Sequence, residues 1–532
     1  MVAGASLVAL AAAGAGAAQP AQRAGDGLGR ALAEGRLTHA EFALERALAL
    51  YRPERARRLF GEIVSPDPRE GTPIFRDLAA RVSALPPSQR PLARRILARP
   101  TARRDAIHGY TAPARRSCGP HFCFWWVTKG VDAPRLADRN RNRIPDWVET
   151  TRAVFARVWR TEVERLGYRR PLSDLLARDH GPNGKLDVYI ADVGADGLYG
   201  YCTSDDPRRR WRRAVSAFCV VDDDFAAGQF EGTATGRRAL EVTAAHEFFH
   251  AVQYAYDWLE DLWFMEGTAT WIEDEVFDDV NDNRQYLRTS PLSPRLFSTP
   301  IDYYDRDPNE VEAGFKYGAW IFWRYLSERV GREVVRETWS RAAGRRAYSV
   351  TALVRALATR ELNLTRVFAD FGAADLYPSR SYAEGASYPV PRPSRVFAVG
   401  TTGVARTPVT VSHLANDYYG FIPDRLPDDA VATFTLELPA PAASPMGSAV
   451  VERRDGSVVQ VPAAYDEASG RWRIVVENFG AIRRVVLVLT NASTRFACRR
   501  RTVYSCRGVP RDDDAEFDFG LAVSEPPPVQ TG

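Results

Sequence analysis

Lysine is almost missing from this 532-residue chain: Lys129, Lys185 and Lys316 are the three present, so 68 of the 71 basic side chains are arginine. That skew reads as a GC-rich coding bias, so arginine clusters count for little as phosphate-binding signals. Net charge is low as well, at +4, and implies no polyanion partner and no nucleic acid. No apolar run is long enough to span a membrane stably. No Cys-x-x-Cys pair occurs, which weakens any case for a zinc ribbon. Histidine is scarce, with seven residues: His39, His108, His121, His180, His246, His250 and His413. Two of them sit four apart.

What is present belongs to a globular protein, 45% hydrophobic and 26% charged, with length for about three domains. Residues 1–18 form an apolar run ending in small residues, Ala15 and Ala17, as signal peptidase prefers, although no basic residues precede it. A signal peptide and an extracellular location are expected. The six cysteines fall into three sequence-local pairs, Cys118/Cys123, Cys202/Cys219 and Cys498/Cys506. This suits three short-range disulfides in an oxidising compartment, although the count alone leaves other connectivities open.

Eleven of the twelve tryptophans lie between Trp125 and Trp339, which marks one aromatic-rich block over residues 106–380. Residues 19–105 differ: 37–51 has helical apolar spacing, and short Ala/Leu/Arg segments are broken by Pro66, Pro68, Pro86, Pro87 and Pro91. The expectation is a helical, prosegment-like region whose Arg-rich end, 98–105, is an exposed linker open to proteases. A Pro-rich linker, 381–394, leads to residues 395–532, where runs such as 432–438, 473–477 and 484–490 alternate with turns. These predict a β-sandwich.

Residues 237–258 contain no Pro or Gly and are apolar around most of a helical circumference, which predicts a buried helix. Within it, His246-Glu247-Phe248-Phe249-His250 puts two imidazoles one turn apart on one face, in reach of one metal ion. Glu247 is placed to take a proton from an attacking water. Zinc needs a third protein ligand, and Glu266 is the first carboxylate of a second helix beginning near Trp263.

With these motifs the chain resembles the thermolysin-like zinc metallopeptidases, or gluzincins. Residues 245–253 with 263–271 look closer to a family of secreted bacterial metalloproteases. The resemblance implies an α+β, zincin-like metalloprotease domain with an N-terminal helical region and a C-terminal all-β sandwich. It implies Zn2+ held by His246, His250 and Glu266, with Glu247 as general base. Two departures stand out. Only fifteen residues separate His250 from Glu266, and Thr270 stands where many gluzincins carry an acid that orients a zinc histidine. Glu273 and Asp274 are candidates to replace that acid, with solvated charges as the equal alternative.

The oxyanion that develops during peptide hydrolysis needs a donor besides the metal. Residues 314–331 resemble the helix that supplies a tyrosine for this in thermolysin-like aminopeptidases, and Tyr317 is the candidate, in competition with Tyr325, Tyr303 and Tyr304. Residues 187–192 and 214–222 read as strands. The second, just ahead of the metal helix, is expected to pair with extended peptide substrate.

Residues 138–149 fit a twelve-residue calcium loop: Asp138, Asn140, Asn142 and Asp146 at positions 1, 3, 5 and 9, the Ile144 carbonyl at 7 and Glu149 at 12. Arg143 occupies the position usually held by Gly, where a left-handed backbone costs roughly 1–2 kcal/mol. A structural Ca2+ is expected there. The acidic runs 222–224, 278–283 and 512–514 lack any loop pattern and read as solvated carboxylates. The arginines of 208–213 are expected to cap a surface loop.

Together these features predict a secreted zinc metalloendopeptidase acting on proteins or peptides, kept latent by residues 19–105. The alternative is a calcium-stabilised extracellular binding or adhesion protein with a vestigial zinc site, whose β-module holds an extracellular ligand. The intact Glu247 favours the enzyme.

Overall fold

A computed structural model describes residues 26–102, 107–177, 180–230, 234–304, 314–344, 347–500 and 502–524. The expected signal, 1–18, lies outside these described residues. The helical pattern at the N-terminal end produces α1 (Gly27–Ala33), α2 (His39–Tyr51), α3 (Pro53–Phe60), α4 (Gly71–Arg81) and α5 (Arg90–Ile96). Thr38 and Glu41 start α2 as a capping box: Glu41 N–H donates to Thr38 Oγ1 at 3.2 Å, and Thr38 N–H donates to the Glu41 carboxylate at 3.0 Å.

The central block carries a five-stranded sheet of β1 (Arg115–Cys118), β2 (Phe122–Trp126), β3 (Leu186–Ala191), β4 (Gly200–Thr203) and β5 (Phe218–Asp222), in the order β1-β2-β3-β5-β4. The inner strands β2, β3 and β5 run parallel, and the edge strands β1 and β4 are antiparallel to their neighbours. Buried on both faces, β2, β3 and β5 are almost wholly apolar. Strand 214–222 is therefore not the sheet edge. β4 covers it, with Cys202 directly opposite Cys219.

The remaining helices of the block are α6 (Asp146–Trp159), α7 (Gly236–Tyr254), α8 (Leu262–Val276), α9 (Phe315–Gly318), α10 (Trp320–Arg329), α11 (Glu333–Ala342), α12 (Ser349–Ala358) and α13 (Leu364–Asp375). α7 lies against β4 and β5 on one side and α8 on another. Seven tryptophans, Trp126, Trp258, Trp263, Trp271, Trp320, Trp323 and Trp339, are fully buried here. The core they belong to is continuous with Ala43, Leu44, Phe75 and Leu78 of α2 and α4.

The stretch expected to be an exposed linker is fixed instead. Arg99 is fully buried and pairs with Asp174, Asp187 and Asp205 of the central block. A charge of this kind is tolerated inside a protein only when its donors are matched, and three carboxylates match them here. Residues 103–106 lie outside the described residues. The linker ahead of the β-module is also packed, since Tyr388 is buried against Trp320 and Tyr382.

The predicted strands 432–438, 473–477 and 484–490 fall on three of the ten strands that form the C-terminal module. These are β6 (Arg395–Val399), β7 (Val404–Val411), β8 (Ala415–Pro423), β9 (Val431–Glu437), β10 (Pro445–Arg453), β11 (Val458–Pro462), β12 (Ala464–Asp466), β13 (Arg471–Val476), β14 (Ile482–Asn491) and, after a small hairpin, the closing strand Ala515–Ser524. They make two five-stranded sheets with one shared core, in which Phe421 and Leu487 of one face Phe434 and Phe519 of the other. α13 packs on the outer face of β10 and β14.

Of the cysteine connectivities that the count left open, the structure has the local one: Cys118 is bonded to Cys123, Cys202 to Cys219 and Cys498 to Cys506. Cys118 and Cys123 stand opposite each other where β1 turns back into β2, so the antiparallel register brings the two sulfurs together. Among the described residues, no helix is long and apolar enough to cross a membrane.

Candidate metal centre

α7 is buried along almost all its length because the sheet, α6 and α8 surround it. The four-residue spacing then turns His246 and His250 to the same side, their ring centroids 4.8 Å apart. α8 brings Glu266 opposite, with its Oε2 at 3.3 Å from His246 Nε2 and 3.4 Å from His250 Nε2. Neither pair meets hydrogen-bond geometry: both Nε2 atoms and both Glu266 oxygens are buried without a hydrogen-bond partner among the described residues. One ligand atom from each residue lies within 4.8 Å of the other two. Four orphaned polar atoms converging in a dry site would be costly unless a cation joins them. Two imidazole nitrogens and a carboxylate fit zinc.

The other ring nitrogens are committed. His246 Nδ1 is 2.8 Å from Glu273 Oε1, and His250 Nδ1 is 2.8 Å from Gln253 Oε1. With an acceptor at Nδ1, each imidazole in its neutral form presents Nε2 as the lone-pair donor. Of the two acids proposed to orient a histidine, Glu273 does so. Asp274 faces away and pairs with Arg324 at 2.6 Å. Gln253 is in turn held by donating to the Met265 carbonyl at 2.9 Å and to Thr268 at 3.2 Å. Its place three residues after His250, one turn along the same face, is a signal that spacing alone carried.

Burial opposes charge on all of these groups, and neighbours decide the outcome. At Glu266, His250 and His246 outweigh burial and hold the carboxyl well below the usual range. At His246, the carboxylates of Glu266 and Glu273 outweigh burial and push its pKa up to about 9. At Glu247 burial wins and its pKa is raised, against the pull of both histidines and of Thr72.

The N-terminal region enters this site directly. Thr72, at the start of α4, donates its hydroxyl proton to Glu247 Oε2 at 2.7 Å, with the Cys202 carbonyl as a second acceptor at 3.2 Å, and accepts Cys202 N–H at 2.7 Å. The Pro68 carbonyl accepts Tyr199 N–H at 2.9 Å. Residues 68–72 thus occupy backbone groups along the outer edge of β4. A Cβ on Gly71 would lie 2.6 Å from the Gly200 carbonyl oxygen, so only glycine permits this approach. Glu70 reaches Tyr317, whose hydroxyl donates to Glu70 Oε1 at 3.1 Å, and also pairs with Lys316 and Arg46. Arg69 is fully buried, its Nε and Nη2 donating to Glu273 at 3.1 and 3.0 Å and its Nη1 to Tyr286 at 3.0 Å.

Among the candidate tyrosines, Tyr317 is beside the histidines, its ring 6.2 Å from that of His246. Tyr325 packs on Phe371, Tyr304 bonds the Thr502 carbonyl, and Tyr303 lies against Phe315 and Tyr504. Thr270 offers no support to the histidines, and its hydroxyl is buried without a hydrogen-bond partner among the described residues.

The cysteines stand apart from the metal cluster. Cys123 is fully buried in β2, and its sulfur, committed to Cys118, accepts a hydrogen bond from Asn183 Nδ2 at 3.2 Å. It is a structural residue rather than part of the site, because a disulfide sulfur has no thiolate to offer a metal or a substrate. The same holds for Cys118, Cys202, Cys219, Cys498 and Cys506, since no cysteine is free.

The 138–149 loop is held by its own side chains. Asp138 accepts the N–H groups of Asn142 at 3.1 Å and Arg143 at 2.8 Å, and Asp146 accepts that of Arg139 at 3.1 Å. Glu149 lies across the loop, accepting from Asn140 at 2.8 Å and Asn142 at 2.6 Å. Arg143 takes the left-handed backbone expected at that position, with φ 70°. The carbonyl of Ile144 is the remaining expected donor. The arginines of 208–213 do lie in a surface turn, where Arg208 pairs with Asp206 and Arg213 with Asp257.

No model of a known protein family and no curated protein matches this chain.

Proposed function

We propose that this protein is a secreted zinc metallopeptidase that hydrolyses peptide bonds in proteins, with a thermolysin-like, zincin-type central domain. The observation that carries this is the set of orphaned atoms on His246, His250 and Glu266 beside an intact Glu247. When bound, zinc supplies the Lewis acid that polarises the scissile carbonyl and acidifies the attacking water. Glu247, its pKa raised by burial, takes the proton from that water at a carboxylate oxygen and delivers it to the departing amine. Tyr317 donates its phenol hydrogen to the developing oxyanion once Glu70 no longer holds it. Glu273 and Gln253 keep the two imidazoles oriented. The outer edge of β4, once residues 68–72 leave it, takes the extended peptide by strand addition. Ca2+ in the 138–149 loop ties the chain after β2 to the start of α6.

The N-terminal region supports a latent state. Residues 68–72 bond the backbone edge a peptide needs, the carboxylate of the general base and, through Glu70, the phenol of Tyr317. Peptide hydrolysis therefore requires this segment to leave.

The test is zinc content and chelator-sensitive casein cleavage in wild type and Glu247→Gln, each after limited proteolysis. Equal zinc with cleavage lost in the variant is expected. Correctly folded wild type without zinc would overturn the assignment.

A further inference from the structure

Of the acids at 222–224, expected from sequence to be solvated, two are largely buried. Asp222 is fully buried and Asp223 is 7% exposed. They end β5, and beside them Asp192 follows β3, the adjacent parallel strand, in which Ala191 pairs with Asp222. One carboxylate oxygen from each of Asp192, Asp222 and Asp223 lies within 4.8 Å of the other two.

Local hydrogen bonds account for two of the three. Asp222 accepts Gly194 N–H at 2.6 Å and Phe225 N–H at 2.7 Å, and Asp192 accepts Ala195 N–H at 3.1 Å and Gln229 at 3.4 Å. Asp223 is different. More than nine-tenths buried, it makes no hydrogen bond or ion pair among the described residues, and its neighbours are acids. Burial, then Asp222, Asp224, Asp192 and Asp132, push its pKa up to about 8. Asp196, beside Asp192 and Asp132, is also raised, to about 7. His108 lies 3.5 Å from Asp196, and burial lowers its pKa to about 4, so it adds no charge at neutral pH. A largely buried acid whose neighbours are other acids is costly to ionise.

We propose that Asp192, Asp222 and Asp223 form a second calcium site, separate from the 138–149 loop, at the carboxyl ends of β3 and β5. The donors are all oxygen, with no imidazole or thiolate, which selects a hard cation over zinc. Ligands on one ion at 2.3–2.6 Å can be up to about 5 Å apart, which accommodates the observed spread. Backbone carbonyls and water complete the coordination. The ion ties two strand ends to the chain leading into α7, where Phe225 O accepts Gly236 N–H at 2.9 Å. It thereby anchors the start of the helix that carries the histidines.

The experiment is equilibrium dialysis of the full chain against Ca2+, with Zn2+ constant, for wild type, Asp223→Asn, Glu149→Gln and the double variant. Thermal melts are run with and without Ca2+. Asp223→Asn should bind one calcium fewer per chain than wild type, and the double variant should bind fewer than Glu149→Gln. Without Ca2+, Asp223→Asn should melt above wild type, because an acid whose ionisation its neighbours oppose is gone; with Ca2+ the order should reverse. If Asp223→Asn does not fold, Asp192→Asn replaces it with the same expectations. Wild-type calcium content and an unchanged calcium-induced rise in melting temperature in these variants would overturn the proposal. Neither outcome depends on peptidase activity.

Discussion

The hydroxyl of Thr72 lies 2.7 Å from Glu247 Oε2 and joins residues 175 positions apart in the chain. Thr72 also bonds both backbone groups of Cys202 on the outer edge of β4. One side chain thus engages the base that would activate water and the strand that would receive substrate.

Intact protein should therefore cleave casein slowly. Limited proteolysis that separates the chain before Arg115 from the rest should raise the rate by about tenfold or more, as for a competent state populated a tenth of the time or less beforehand. The measurement is turnover against the extent of cleavage, followed on gels. A fall in turnover would mean that residues 26–102 belong to the working enzyme.

Glu273 sits between Arg69 and His246 and orients the imidazole. Glu273→Gln should weaken zinc binding by about 10–100-fold, the usual effect of losing such a partner, and should also lower the melting temperature, because buried Arg69 loses a carboxylate. Competition with a metal-sensitive dye reads the affinity. Asp274→Asn, which affects an acid paired with Arg324 instead, should leave zinc affinity unaltered.

Tyr317→Phe removes the phenol but not the ring that packs beside His246 and Tyr286. In proteolysed protein it should lower kcat about 100-fold, the range for losing one oxyanion donor, with zinc content unaffected. Unchanged kcat would exclude Tyr317 from catalysis.

His413 of the β-module is fully buried between Asp302 of the central block, at 3.1 Å, and Asp513, at 2.7 Å. Burial alone would lower its pKa, but the two aspartates outweigh that and push it up to about 9. The folded protein therefore binds this proton more tightly than the unfolded chain. The resulting stability is complete below pH 6.5, the ordinary value, and is lost as pH rises towards 9. At most it amounts to about 3 kcal/mol, and partial exposure of Asp513 reduces it. His413→Gln should melt well below wild type at about pH 6 and approach it near pH 10. Equal gaps at both pH values would refute a charged His413.

The central elements of the site were legible because they are local. Helical spacing alone places His246, Glu247 and His250 on one turn, and the next helix follows with Glu266. The cysteine pairs, such as Cys118 with Cys123 across one tight turn, and the runs at 432–438, 473–477 and 484–490 are short-range patterns of the same kind. Strand order was not legible: β4 is only four residues long, and its place outside β5 depends on an antiparallel return that hydrophobic pattern does not encode. Arg99, in a stretch resembling a cleavable linker, is buried because three distant aspartates meet it. Asp222 and Asp223 look like surface charge until two parallel strands end side by side. By itself, then, the sequence determined which residues share a helical turn, since that follows from backbone geometry over four or five positions. Only the tertiary structure decided that Arg69, Glu70 and Thr72 close over the site, because those contacts depend on how helices more than a hundred residues apart pack around one core.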